Sequence, residues 1–258
     1  HEYIKIINER EYKNADKRGN SVGGRTIFRG HSDPNWKLSS KLERRLVKEL
    51  DGEIYSMKEI NGQNWYEERC KEILERFKYY CSQISDEYKD KTDEELYLIG
   101  RHYGLLTPYL DWTFNPYVAT FFAFYELYKQ LELNSSKSST FTNGYVTIWC
   151  LDYWDELIND NNIHLITVES KIGERYNAQN VAFTYLKAPE YFDIESYLKS
   201  KGLSYLLEKY DLPYEMVHEG LAHLDKMGIN IFTLFPDLEG AASQSHIDFD
   251  YLHTNYIF

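Results

Sequence analysis

The apolar positions of the first half of the chain recur three and four residues apart. From Asn64 to Lys89 the set Ile73, Phe77, Tyr80, Cys81, Ile84 and Tyr88 keeps this spacing, which predicts a long helix with one apolar face. A second helix opens at Thr92. A hydroxyl there followed by Glu95 three residues later is a capping box, and Gly104 lies just past the helix's expected end. A third helix follows Asn115-Pro116, because Asn caps well and Pro loses no intrahelical bond at the first position. Ala119, Phe122, Ala123 and Leu127 form its apolar face. The serine-rich stretch from Asn134 to Thr140 predicts an exposed loop.

Beyond that loop the period changes to two. Val146, Ile148 and Cys150 alternate with Tyr145, Thr147 and Trp149, and the runs Ile163 to Val168 and Val181 to Leu186 are also strand-like. A helix is expected from about Tyr214 to Lys226, stopped by Gly228, with a strand from Ile231 to Phe235 and a closing turn at Pro236 to Gly240. The pattern predicts an α+β fold: a helical N-terminal half packed on a mixed or antiparallel β-sheet formed largely by the C-terminal half. The length, 258 residues, suits a single domain spanning 1–258.

Composition narrows the partners. With 43% hydrophobic and 27% charged residues the chain has the means to bury a core. Its 41 acidic against 29 basic residues give a net charge of −12, which repels phosphate backbones and anionic membranes and disfavours generic nucleic-acid binding. No apolar run approaches the ~20 residues of a membrane span, and the first residues carry no apolar signal core. Three cysteines, Cys70, Cys81 and Cys150, without a CxxC pair, predict reduced thiols and a cytoplasmic protein. No His, Cys or acid cluster has metal-ligand spacing, so no metal is expected.

Three segments combine structural punctuation with reactive side chains. In the first, Thr26-Ile27-Phe28 leads as a strand into Arg29-Gly30-His31. The guanidinium offers a fork of donors to phosphate or carboxylate, and the glycine lets the backbone approach a ligand. In the second, Arg101-His102-Tyr103-Gly104 leads into Asp111-Trp112-Thr113. Asp111 lies between two apolar residues, a costly place for a lone carboxylate, so it needs a cationic partner from among Arg29, Arg101 and His102. The third is Glu174-Arg175-Tyr176-Asn177-Ala178-Gln179, whose glutamine can both donate and accept, as a ribose hydroxyl or a base edge requires. An ion network that merely ties helices to the sheet accounts for the arginines and Asp111 equally well.

Together these segments resemble the FRG domain family, named for its Phe-Arg-Gly motif. The resemblance runs from FRGHSDPNWKLSSKLER at Phe28 to Arg44, through RHYGLLTPYLDWTFNPYVATFFAFYE at Arg101 to Glu126 and GYVTIW, to RYNAQNVAF and KMGINIFTLFPDLEG, over about residues 25–241. The chain departs from the family at Leu106 and Tyr109, in a stretch usually written with Pro-Thr-Arg, and at Val181, usually Gly. The lost arginine argues against a doubly basic pocket. The resemblance implies a phage-defence or toxin-type effector of bacteria or phages.

Three functional readings follow. By analogy with ADP-ribosyltransferases, a strand-borne Arg-Gly, a strand Thr ahead of a helix and a later amide match Arg29-Gly30, Thr113 and Gln179. NAD would then be the cofactor or substrate, with Arg29, His102, Asp111 and Gln179 as the catalytic set. Gly30, His31, Arg101, Tyr103, Trp112 and Thr113 would bind it, Tyr103 stacking on nicotinamide. Gln179 lacks the charge of a glutamate, so Glu174, Asp111 or Glu239 would have to supply it. The second reading is metal-independent RNA cleavage, with His102 oriented by Asp111 as general base and Arg29 as phosphate clamp. The third is a non-catalytic sensor of a small-molecule ligand or a protein partner.

Overall fold

A computed structural model describes residues 5, 25–49, 62–134, 144–167, 178–187 and 193–254. The expected loop at 135–140, the stretch 174–177 with Glu174 and Arg175, and Val168 lie outside the described residues.

In chain order the elements are β1 (Arg25–His31), α1 (Lys41–Glu49), α2 (Gly62–Ile84), α3 (Asp93–His102), β2 (Tyr109–Thr113), α4 (Pro116–Asn134), β3 (Tyr145–Tyr153), α5 (Asp155–Asp160), β4 (Ile163–Thr167), β5 (Val181–Leu186), α6 (Ile194–Ser200), β6 (Leu207–Pro213), α7 (Val217–Lys226), α8 (Ile231–Leu234) and α9 (Leu238–Thr254). The fold is α+β. Among the described residues six strands form one antiparallel sheet in the order β4-β5-β2-β1-β3-β6. Helices and strands interleave along the chain rather than dividing by half. The two strands that precede residue 115, β1 and β2, sit at the centre of the sheet.

The capping signals hold. Thr92 and Glu95 form a reciprocal capping box at α3, and Asn115 Oδ1 accepts from Tyr117 N at 2.9 Å at the start of α4. Gly104 and Gly228 have positive φ after their helices. The long helix stops at Ile84 rather than running to Lys89, because Ser85 caps a separate 3-10 turn, Asp86–Tyr88. Ile231 to Phe235 is not a strand. Asn230 and Thr233 form a capping box that starts α8, and Pro236 follows directly, so the apolar run folds as one helical turn.

Two packed layers enclose the sheet centre. Phe28, Val146, Ile148 and Cys150 face α4 and α7, meeting Ala119, Phe121, Phe124 and Leu221. On the other face Ile27, Leu110, Trp112, Trp149 and Leu151 meet Leu157, Ile194, Tyr197 and Leu198. At the β2–β5 side, Tyr109 and Phe183 pack against Leu74 and Leu96. Gly30 explains how close α4 comes: a Cβ there would lie 2.0 Å from the Ala119 carbonyl oxygen. Only glycine admits that helix backbone.

The two flanks of β1 differ. Along β3 it pairs at seven positions, from Arg25↔Tyr153 to His31↔Thr147. Toward β2 the register has a single pair, Phe28↔Thr113. Beyond it the two strands separate, and the gap is where the polar residues collect.

Candidate functional site

A cavity of about 520 Å³ opens over this gap, within the size range of small-molecule sites. Its wall includes Arg29, Gly30, His31, Arg101, His102, Asp111, Trp112, Thr113 and Gln179, so the three segments singled out in the sequence meet at one hollow. Tyr103 does not reach it. It is the C-cap of α3 and is 86% exposed, so its ring is no stacking wall. Aromatic walls come instead from Trp36, Phe122, Phe183 and Phe235, with Phe122 and Phe235 edge to face at 6.1 Å.

Asp111 anchors the polar centre. Arg101 Nε donates to its Oδ1 at 2.6 Å and Arg101 Nη2 to its Oδ2, while Arg101 Nη1 donates to Thr107 Oγ1 at 2.9 Å and the Tyr109 carbonyl at 2.7 Å. The Arg101 guanidinium also lies over the Phe183 ring at 5.3 Å. Arg29 reaches across from β1: its Nη1 donates to the Asp111 carbonyl at 2.7 Å and lies 3.5 Å from Oδ2. A side-chain bond thus stands where the backbone ladder ends. The pocket is doubly basic despite the missing family arginine, because Arg101 supplies the second guanidinium. Lys41 adds a third cation at the wall.

These charges set the titration behaviour. Burial opposes the Asp111 carboxylate, but Arg101 and Arg29 outweigh it and hold its pKa below the ordinary value. Burial lowers Arg29 to about 10, against the attraction of Asp111 and with repulsion from Arg101 and Arg44. Arg29 stays a cation at neutral pH. Arg29 Nε donates to His31 Nε2 at 2.8 Å, which fixes His31 with its proton on Nδ1. Burial first, then Arg29 and Arg44, push His31 down to about 2. His31 is therefore a neutral brace for Arg29.

Gln179 and Thr113 brace the far wall. Thr113 Oγ1 donates to the Gln179 carbonyl at 2.7 Å and accepts from Asn115 N at 3.1 Å. Gln179 Nε2 donates to the Leu234 carbonyl at 3.0 Å, so its amide oxygen is the end left to accept from a ligand. Trp112 borders the cavity, but its Nε1 donates to Thr184 Oγ1 at 2.8 Å and its ring packs in the opposite core. His102 lines the cavity, yet the Asp111 oxygens are held by the two arginines and no hydrogen bond joins His102 to Asp111 among the described residues.

Sequence reasoning missed Trp36, Lys41 and Glu126. Glu126 lies one turn beyond Phe122 on α4 and pairs with Lys129 at 2.6 Å. Of these, only Glu126 carried a readable signal, its place four residues after a wall phenylalanine. Glu239, the other acid considered, is exposed at the start of α9 and outside the cavity wall. Among the described residues no cluster of three metal-ligating side chains exists, and no helix is long and apolar enough to cross a membrane.

No curated protein and no solved structure matches the chain. The family model described as the FRG domain matches residues 24–131, which covers β1, β2 and α1 to α4 but leaves Gln179 and the other four strands outside. The stretch that carries Arg29, Arg101, Asp111 and Thr113 is thus the part of the chain that is similar to the FRG domain.

Proposed function

We propose that this cavity is an ADP-ribosyltransferase-like site that binds NAD and cleaves its bond between nicotinamide and ribose. The observation that carries the reading is the meeting of Arg29, Thr113 and Gln179. They come from β1, from β2 and from the residue pair ahead of β5, three neighbouring strands, and they border one hollow. Its cations also form a local positive centre on a chain of net charge −12, which favours an anionic ligand over generic polyanions.

In this reading Arg29 is the charged donor that holds phosphate or ribose. Its geometry is preset by His31 on one side and Asp111 on the other. The aromatic rings of Phe122, Phe183 and Phe235 take the stacking role expected of Tyr103. The Gln179 oxygen accepts from a ribose hydroxyl, while Thr113 keeps the Gln179 backbone in place. When the C–N bond breaks, nicotinamide leaves with the electron pair. Water, or a hydroxyl of an acceptor, adds to the ribose carbon and releases a proton. Asp111 is clamped by two guanidiniums, whereas Glu126 has a single, exposed partner in Lys129, so Glu126 is the carboxylate freer to face the developing positive charge.

The test is incubation of the full chain with NAD, followed by mass measurement. Released nicotinamide together with ADP-ribose, free or attached to a protein, is expected, and Arg29→Ala should remove it. A toxin-type role further requires that expression slows growth and that Arg29→Ala relieves this. NAD binding without release of nicotinamide would replace the enzyme by a sensor. Absence of both NAD binding and nicotinamide release from the folded protein would overturn the reading.

A further inference from the structure

The centre of the cavity and its mouth differ in how their cations are engaged. Arg101 is committed to Asp111, Thr107 and Tyr109. Arg29 directs Nε and Nη1 into the protein, whereas its Nη2 has no partner among the described residues. Lys41 is the first residue of α1. Its side chain lines the cavity, makes no ion pair among the described residues, and lies near enough to Asp111 to help lower its carboxyl pKa. The helix dipole at that end favours an anion in the same place.

Trp36 stands at the same mouth. It is 46% exposed although it lines the cavity, and its ring meets His31 in a T-shaped contact at 5.8 Å. The segment joining β1 to α1 that carries it is held in place. Gln130 Nε2 donates to Ser32 Oγ at 3.1 Å, Tyr214 OH to the Ser32 carbonyl at 3.2 Å, and Lys209 Nζ to the Pro34 carbonyl at 3.0 Å. Three separate elements, α4, β6 and the turn after it, pin the segment, so Trp36 and Lys41 are presented with little ordering left to do on binding.

We propose that the mouth is a nucleoside-diphosphate seat in which Lys41 Nζ and Arg29 Nη2 take the diphosphate and Trp36 stacks on the base. Two cations from different elements match a diphosphate better than a single phosphate, since each can meet a separate group. A flat, half-exposed indole beside them selects for a ring over an aliphatic anion. The seat deepens the NAD reading by assigning the adenosine-diphosphate part of the ligand to the mouth, but it stands or falls by binding alone.

Calorimetric titration of the full chain with inorganic pyrophosphate and with ADP tests it. Both should bind. Lys41→Ala should weaken both about tenfold, the loss of one charge-assisted contact. Trp36→Ala should weaken ADP severalfold and leave pyrophosphate unchanged. Lys37→Ala, a charge in the same segment but outside the cavity, should change neither. Lys41 is exposed at a helix end, so its alanine variant should keep the wild-type melting midpoint. Unchanged binding in Lys41→Ala, equal losses in Lys37→Ala, or no pyrophosphate binding by the folded wild type would overturn the seat. If Lys41→Ala cleaves NAD with unaltered affinity, the seat fails and the NAD reading survives. If ADP binding depends on Lys41 and Trp36 while nicotinamide is never released, the NAD reading fails and the seat survives.

Discussion

Strand β1 has one dry flank and one wet flank. Toward β3 and α4 it pairs at seven positions and is packed so tightly that Gly30 meets the Ala119 backbone. Toward β2 it pairs once, and the contact passes to the Arg29–Asp111–Arg101 cluster. Backbone pairing on both sides would leave no gap for a ligand. A single bridge followed by a side-chain clamp keeps two halves of a sheet together while opening a cavity between them. The dry flank fixes where Arg29 starts, and the wet flank fixes where its guanidinium ends.

The largest effect should come from breaking the dry flank. Gly30→Val places a branched side chain where even one carbon lies 2.0 Å from a helix carbonyl and 2.9 Å from the Ala123 nitrogen. Because both atoms are backbone, α4 must move, and the cost should exceed about 3 kcal/mol in a denaturation experiment. Gly104→Ala is the control. Nothing lies within 4 Å of its position, so only its positive φ is penalised, at about 1 kcal/mol. Equal losses for the two would mean that α4 does not rest on β1.

Breaking the wet flank should cost less. Asp111→Asn leaves two largely buried guanidiniums facing a neutral amide. Loss of one partner of a buried pair costs roughly 3–5 kcal/mol, but the Asp111 side chain is 47% exposed, so about 2–3 kcal/mol is expected here. The loss should shrink when Arg101→Met is made on the same chain, because removing both charges removes the uncompensated one. Additive losses in that double-mutant cycle would show that Asp111 and Arg101 are not coupled.

Much of the wet flank was legible in the sequence. An aspartate between Leu110 and Trp112 has to find a cation, and two of its three candidate partners, Arg29 and Arg101, turned out to share it. The third, His102, is exposed in the last turn of α3 and lines the same cavity. Tyr103 was misjudged because a C-cap before a left-handed glycine turns outward, which an aromatic count does not reveal. Ile231 to Phe235 was misjudged because five apolar residues fit a strand or one helical turn. Asn230 decided between them by capping, a local signal that the apolar run outweighed on reading. The interleaved sheet was not legible, because β2 is only five residues long and its alternation is hidden between two helices. Lys41 and Trp36 became visible only when the segment after β1 was seen folding back over the gap.

The last contrast is between two carboxylates, Asp111 on the cavity wall and Glu43 on α1. Asp111 faces guanidiniums, whereas Glu43, 4% exposed, takes its hydrogen bonds from Ser40 N at 2.5 Å and Tyr66 OH at 3.1 Å, both neutral donors. Burial raises Glu43 to about 7, and the Ser40 and Tyr66 bonds only partly offset it. The signs then oppose. Asp111, with its pKa depressed, contributes stability that is present above the ordinary carboxylate range and lost as pH falls through it. Glu43, with its pKa raised, contributes stability that is full below its unfolded value and lost as pH rises toward and through about 7. The stability of the wild type relative to Glu43→Gln should therefore fall by up to about 3 kcal/mol between about pH 4.5 and pH 8. Relative to Asp111→Asn it should stay level over that range and fall only in stronger acid. Melting curves of the three proteins across pH would read this directly. A wild-type-minus-Glu43→Gln difference that does not change with pH would mean that Glu43 is ionised throughout, and that the floor beneath α1 tolerates charge as readily as the clamp does.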